Sequence, residues 1–128
     1  MTLLLDTSAL VKLLVAEPET AALRAYLRSR PVRAASALVR TELRRAAVRL
    51  PGDLLPTAER LLAGLALVPV DDALLDTAGT LGPAVLRSLD AIHLAAALRV
   101  APVEAVITYD DRMSTAAASL GLRVAAPA

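Results

Sequence analysis

Short apolar runs of strand length alternate along the whole chain with longer segments of helical periodicity. Strands with helices between them predict an α/β fold with a central parallel twisted sheet of four to five strands and helices on both faces. The length of 128 residues predicts one domain, spanning 1–128. The predicted strands are Leu3 to Leu5, Val32 to Ala35, Ala66 to Val70, Val103 to Thr108 and Gly121 to Val124.

Small polar residues stand in front of several predicted helices. Their side-chain oxygens can accept the backbone N–H groups that a helix leaves unpaired in its first turn. We therefore predict N-caps at Ser8, Ser36, Asp71 and Ser88, and we expect Asp111 to cap the helix after the fourth strand.

Composition excludes several classes of protein. The chain has no cysteine, which excludes disulfides, thiolate metal sites and a cysteine nucleophile. Its longest apolar stretches, Leu61 to Val70 and Ala91 to Leu98, fall short of the roughly 20 residues that a membrane-spanning helix needs. The net charge of +1 gives no global basic field. We expect a cytoplasmic protein that does not bind membranes.

Four acidic residues stand at the ends of apolar runs or inside apolar segments. Asp6 and Asp110 follow predicted strands, whereas Glu42 and Asp90 lie on predicted helices. Acidic side chains are rarely buried unless they are paired or bind a cation. The carboxyl ends of parallel strands form one edge of the sheet, where ligands bind. These acids therefore predict a site for a hard divalent cation at that edge.

Two of the acids also have simpler explanations. Glu42 could form a helical pair with Arg45, worth only ~0.2–0.5 kcal/mol. Asp90 could serve the dipole of its helix. That helix is apolar around its whole circumference, so a buried acid there still needs a cation or a positive partner. For His93, one turn later, a hydrogen-bonded core position is favoured over a ligand or general-base role.

Four segments resemble, in order and separation, the acidic motifs of PIN-domain ribonucleases. A compact chain of this size is most similar to VapC toxins of prokaryotic toxin–antitoxin pairs. Each segment lies in the strand or helix context that the family's motif requires. The segments are Asp6 to Lys12, Thr41 to Ala46, Leu89 to Ala95 and Thr108 to Met113.

The resemblance implies an endoribonuclease that depends on Mg²⁺ or Mn²⁺, with one or two ions, and hydrolyses RNA by metal-activated water. It also implies that the α/β fold is PIN-like, that a VapB-type antitoxin is the partner and that the chain forms a homodimer. The catalytic and metal-binding residues would be Asp6, Glu42, Asp90 and Asp110. The Thr-x-Asp pattern favours Asp110 over Asp111 for the fourth position. The supporting residues would be Thr7, Ser8 and Thr108.

Arginines are the candidates for RNA contact, since all but one of the 14 basic residues are Arg. Arg45 and Arg49 align with Glu42 on its helix, and Arg87 and Arg112 lie near the other acids in sequence. The alternative is that these arginines are counter-ions of the acidic cluster.

Other folds with acids at strand ends fit less well. A phosphorylation receiver needs a lysine late in the chain, and the only lysine is Lys12. A haloacid-dehalogenase phosphatase needs a second Asp where Ser8 stands. Two alternatives within the PIN fold stay open, a catalytically silent protein-binding module and a housekeeping RNA-processing nuclease. The sequence does not indicate which RNA would be cleaved.

Overall fold

One parallel five-stranded sheet forms the centre of the structure. The computed structural model describes residues 1–128, and its strands lie in the order β3-β2-β1-β4-β5. All neighbouring pairs are parallel, which confirms the predicted fold class. The strands are β1 (Thr2–Leu5), β2 (Arg33–Ser36), β3 (Ala66–Val68), β4 (Val103–Ile107) and β5 (Val124–Ala125).

Seven helices connect and cover the strands. No helix has both the length and the apolar character needed to cross a bilayer. The last strand begins three residues later than predicted. The helices are α1 (Thr7–Leu14), α2 (Thr20–Arg28), α3 (Val39–Arg49), α4 (Leu55–Ala63), α5 (Asp72–Gly79), α6 (Ser88–Arg99) and α7 (Asp111–Ser119).

The alternation of side chains along β1 builds a core on each face of the sheet. Leu3 and Leu5 pack with residues of α1 to α4, whereas Leu4 packs with α5 and α6. All three side chains are essentially inaccessible to solvent. The helix α6 is buried nearly all round, as its apolar sequence predicts, and α7 packs against it. The helices α3 and α6 therefore belong to opposite layers.

The chain reverses its direction of winding at β1. It adds β2 and β3 on one side of β1 and then crosses to place β4 and β5 on the other. A crevice forms at such a reversal, beyond the carboxyl ends of the strands, and ligands of open α/β sheets bind there. The segments that leave β1 and β4, beginning with Asp6 and Thr108, therefore border this crevice.

Carboxylates cap the helices that follow these two strands. Asp6 Oδ1 accepts the backbone N–H of Ala9 at 3.1 Å, and Asp110 Oδ1 accepts that of Met113 at 2.9 Å. The predicted caps Ser8 and Asp111 are therefore wrong, since both residues lie inside the helices, one position or more beyond the capping carboxylate. In each case the N-cap is the acid that directly precedes the helix.

The other predicted caps have mixed outcomes. Asp71 caps α5 through the backbone N–H of Leu74, as predicted. Ser36 is the last residue of β2. Its hydroxyl accepts the backbone N–H of Leu38, which precedes α3 and is not part of the helix. Ser88 is the first residue of α6, because the helix begins one residue earlier than predicted. Neither serine is the N-cap.

Candidate metal centre

Asp6 is a buried carboxylate that is held by three donors. Only 3% of its surface is exposed. Its Oδ1 accepts the hydroxyl of Ser8 at 2.6 Å and the N–H of Ala9 at 3.1 Å, and its Oδ2 accepts the hydroxyl of Thr108 at 2.6 Å. Burial raises the pKa of Asp6 above its ordinary value, and the hydrogen bonds from Ser8 and Thr108 oppose that rise. The carboxylate is therefore fixed in orientation.

The two hydroxyls also connect the end of β4 to the start of α1. Ser8 Oγ accepts the N–H of Tyr109 at 2.9 Å, and Thr108 Oγ1 accepts the N–H of Asp110 at 3.1 Å. Each hydroxyl thus donates to Asp6 and accepts from the loop after β4. The structure brings these two predicted supporting residues into direct contact with Asp6.

Asp90 lies in the first turn of α6 and is half-buried. Burial raises its pKa, and the carboxylates of Asp110 and Asp6 raise it further. Arg87 and His93 act in the opposite direction but do not cancel the rise. Three of the four predicted acids therefore share one region of negative potential at the carboxyl edge of the sheet.

Glu42 is linked to this region by two hydrogen bonds to the same oxygen. Its Oε1 accepts the hydroxyl of Thr7 at 2.7 Å and lies 2.7 Å from Nε2 of His93. Burial acts to raise the pKa of Glu42, but the bonds from His93 and Thr7 outweigh burial and lower it. Arg45 forms no ion pair. The alternative of a Glu42–Arg45 helical pair is therefore wrong.

His93 is a buried, hydrogen-bonded residue, as the sequence favoured, with 3% of its surface exposed. Its partner is an acid of the site, Glu42, which the sequence did not indicate. Its other ring nitrogen, Nδ1, is enclosed and has no hydrogen-bond partner. The one sequence signal was its position a single helical turn after Asp90.

The four candidate arginines are all exposed and free of ion pairs. Arg87 directly precedes α6 and acts electrostatically on Asp90. Arg44, by contrast, binds both carboxylate oxygens of Glu59 on α4, at 2.7 and 3.0 Å. The guanidinium groups of the four candidates are therefore available to bind other groups. The candidates are Arg45, Arg49, Arg87 and Arg112.

Comparison with known proteins identifies the family of this chain. The model of the PIN domain family matches residues 3–119. The chain belongs to the PIN-domain family. It is 51% identical over 124 residues to Ribonuclease VapC46 of Mycobacterium tuberculosis (strain ATCC 25618 / H37Rv), with 96% of this chain and 95% of that protein covered. Ribonuclease VapC47 of the same species (strain CDC 1551 / Oshkosh) is 43% identical over 130 residues, with the same coverage.

A solved structure shares the PIN fold of this chain. A chain of a toxin–antitoxin complex from Klebsiella pneumoniae superposes with a TM-score of 0.74, at 20% sequence identity. The match covers 98% of this chain and 97% of that one. At this identity the match shows that the two chains have the same fold.

The donor atoms of this PIN-domain site suit a hard divalent cation. The side-chain carboxylate of Asp90 accepts no hydrogen bond from the protein, and Oε2 of Glu42 and Oδ2 of Asp110 are also without protein donors. Carboxylate oxygens of this kind favour Mg²⁺ or Mn²⁺. No three acidic or histidine side chains converge closely enough to enclose one ion. Mg²⁺ usually keeps several waters and takes one or two carboxylates, so the residues fit such an ion.

Proposed function

We propose that this chain is a divalent-metal-dependent endoribonuclease, the toxin of a toxin–antitoxin pair, which hydrolyses RNA phosphodiester bonds. The supporting observation is the group of carboxylates around Asp6, whose mutual repulsion at Asp90 is not cancelled by Arg87 and His93. This group lies where the chain reverses its direction of winding through the sheet. The relatives at 51% and 43% identity are named as VapC ribonucleases. We further propose that residues 1–128 form a single nuclease domain.

The four acids have separate tasks in this proposal. Asp6 and Asp90 would be the central ligands of Mg²⁺ or Mn²⁺, because the carboxylate of Asp6 is held rigidly and both carboxylate oxygens of Asp90 are available. Glu42 and Asp110 would complete a second metal site through Oε2 and Oδ2, or hold the attacking water. Bound metal would lower the pKa of a water molecule and offset phosphate charge. One ion or two would satisfy this arrangement.

The residues around the acids set their geometry rather than react. Ser8 and Thr108 hold the carboxylate plane of Asp6, and Thr7 holds Glu42. Hydroxyls that orient ligating carboxylates commonly change metal affinity or activity when they are removed. The exposed guanidiniums of Arg45, Arg49, Arg87 and Arg112 are proposed to bind RNA phosphates near the acidic site.

The same family evidence supports the partners that we propose for this chain. The structural neighbour comes from a toxin–antitoxin complex, which supports a VapB-type antitoxin as the partner of this chain. We propose in addition that the chain forms a homodimer and acts on RNA in the cytoplasm. The mass of the purified protein in solution tests the homodimer.

Metal depletion tests the proposed function. The purified protein, freed of any antitoxin, is incubated with a mixed RNA pool, with EDTA, and after EDTA with excess Mn²⁺ or Mg²⁺. The expected result is cleavage that EDTA abolishes and that either ion restores, with 5′-phosphate ends on the products. Cleavage that continues in EDTA would contradict the metal requirement. Absence of both cleavage and Mn²⁺ binding would favour a silent protein-binding module.

A further inference from the structure

The contact between His93 and Glu42 joins the two helical layers at the edge of the sheet. Glu42 lies on α3, which packs on one face, and His93 on α6, which packs on the other. The Nε2–Oε1 distance is 2.7 Å, and the side chain of His93 is almost completely buried. The pair is therefore a fixed element of the site and not a surface contact that solvent can easily replace.

Both donors to Glu42 act on one oxygen. The hydroxyl of Thr7 and the ring of His93 each lie 2.7 Å from Oε1, whereas Oε2 has no protein donor. A carboxylate oxygen has two acceptor positions, so Oε1 is filled by these two bonds. The carboxylate cannot rotate without breaking both of them. Oε2 is thereby kept available in one orientation.

The surroundings of His93 also fix which nitrogen carries the proton. Glu42 is a hydrogen-bond acceptor, so the hydrogen of that bond comes from Nε2. A proton on Nδ1 would be an enclosed donor without a partner, which is costly. The geometry thus assigns the hydrogen of the contact with Glu42 to Nε2. With Nε2 bonded to Glu42 and Nδ1 enclosed, neither nitrogen is free to bind a metal.

We propose that His93 is a positioning residue which, together with Thr7, clamps Oε1 of Glu42 and so presents Oε2 to the metal. The clamp on Oε1 rests on the hydrogen bonds alone. The presentation of Oε2 to a metal rests on the proposed metal-dependent function. Partners that orient ligating carboxylates typically alter metal affinity about 10–100-fold when they are removed. His93 acts in this way through Glu42 and does not touch the reacting atoms.

The clamp itself can be tested by NMR without metal, because His93 is the only histidine in the chain. A sample with ¹⁵N-labelled histidine gives the signals of one imidazole ring. We expect a hydrogen on Nε2 in the metal-free protein, with a change in the Nε2 signal in Glu42→Ala. A ring signal that is the same with and without the Glu42 carboxylate, or an Nδ1–H tautomer, would overturn the clamp.

The positioning role is tested by calorimetric titration with Mn²⁺. His93→Leu should weaken Mn²⁺ binding about 10–100-fold, and His93→Gln, which keeps a donor, should recover part of the loss. In the Glu42→Ala background, His93→Leu should cause no further loss, whereas a merely structural histidine would weaken binding equally in both backgrounds. Equal losses would overturn the positioning role.

Thr7 gives a second route if the leucine variant does not fold. Thr7→Val removes the other donor to Oε1 and should also weaken Mn²⁺ binding, whereas Thr7→Ser retains the hydroxyl and should not. Full binding by Thr7→Val would contradict the clamp. If the unaltered protein bound no Mn²⁺, the proposed function and the metal-directed half of this inference would both fall, and the NMR result would still decide the contact.

Discussion

Thr108 donates its hydroxyl proton to Oδ2 of Asp6 across 2.6 Å, and this bond joins the end of β4 to the end of β1. The same hydroxyl accepts the backbone N–H of Asp110 at 3.1 Å. Thr108 is completely buried. The side chain of Thr108 therefore sets the orientation of the Asp6 carboxylate and the position of the Asp110 backbone. These two bonds are the structural reason for the Thr-x-Asp pattern.

Thr108→Val should lower both stability and cleavage. Valine has nearly the same shape but leaves the N–H of Asp110 and one oxygen of Asp6 without their partner, at a cost of about 1–3 kcal/mol. Cleavage should fall about 10–100-fold. Urea denaturation and cleavage rates measure the two effects. Thr108→Ser is the matched control, since it keeps the hydroxyl, and equal behaviour of both variants would contradict the role of the bond.

Asp90→Asn should raise the melting temperature of the metal-free protein at pH 7 while it removes activity. The raised pKa of Asp90 means that the charged form is disfavoured in the folded state, by burial and by Asp110 and Asp6. Neutral asparagine avoids that cost. For a chain of this length each kcal/mol corresponds to roughly 3–6 °C, so calorimetry in EDTA can detect the gain. A lower melting temperature would contradict the electrostatic account.

The same variant predicts a pH dependence whose sign follows from linkage. Because the folded pKa of Asp90 is raised, the folded chain takes up a proton before the unfolded chain does as pH falls. The cost of the charge is complete above the folded pKa and disappears below the ordinary value of 3.8. The advantage of Asp90→Asn should therefore shrink on acidification. Asp76→Asn, on the exposed part of α5, is the control.

The α/β alternation and the positions of the acids could be predicted because each leaves a local pattern. Strands covered on both faces are short apolar runs. Asp6 directly follows the first of these strands, and Asp110 comes shortly after the fourth. The caps were harder to predict, because Asp6 and Ser8 are both good capping residues and only the backbone shows which comes first.

The partner of Glu42 could not be predicted from the sequence. Its helix neighbour Arg45 lies within reach of a local pair, whereas His93 is 51 residues away and on the opposite layer. Only the packing of α3 and α6 about the sheet brings the two together. Likewise, the hydrogen bond from Thr108 to Asp6 spans 102 residues and depends on β4 lying next to β1.

Arg49→Ala should weaken RNA binding in a salt-dependent way. Each phosphate contact on a single strand contributes about 0.7 to the slope of log K against log salt, so the slope should fall by about that amount. Binding is measured in the Asp90→Asn background to prevent cleavage. Arg40→Ala, an exposed arginine on the same helix, is the control. Identical slopes for Arg49→Ala and its parent would assign Arg49 no phosphate contact.

Leu4→Ala should destabilise the fold strongly. Leu4 lies in the central strand, is fully buried and belongs to the core between the sheet, α5 and α6. Its truncation is expected to cost about 2–5 kcal/mol. Leu89→Ala, at a half-exposed position of α6, should change stability by less than about 0.5 kcal/mol. Chemical denaturation compares the two, and similar losses would contradict the two-layer core.

Cleavage by single-carboxylate variants tests the central claim most directly. Asp6→Asn, Asp90→Asn and the control Asp76→Asn are compared with the unaltered chain on the same RNA with Mn²⁺, and circular dichroism verifies folding. The account predicts that both site variants fold but no longer cleave the RNA, whereas Asp76→Asn cleaves it at the rate of the unaltered chain. Full cleavage by folded Asp6→Asn or Asp90→Asn would contradict the metal-dependent nuclease.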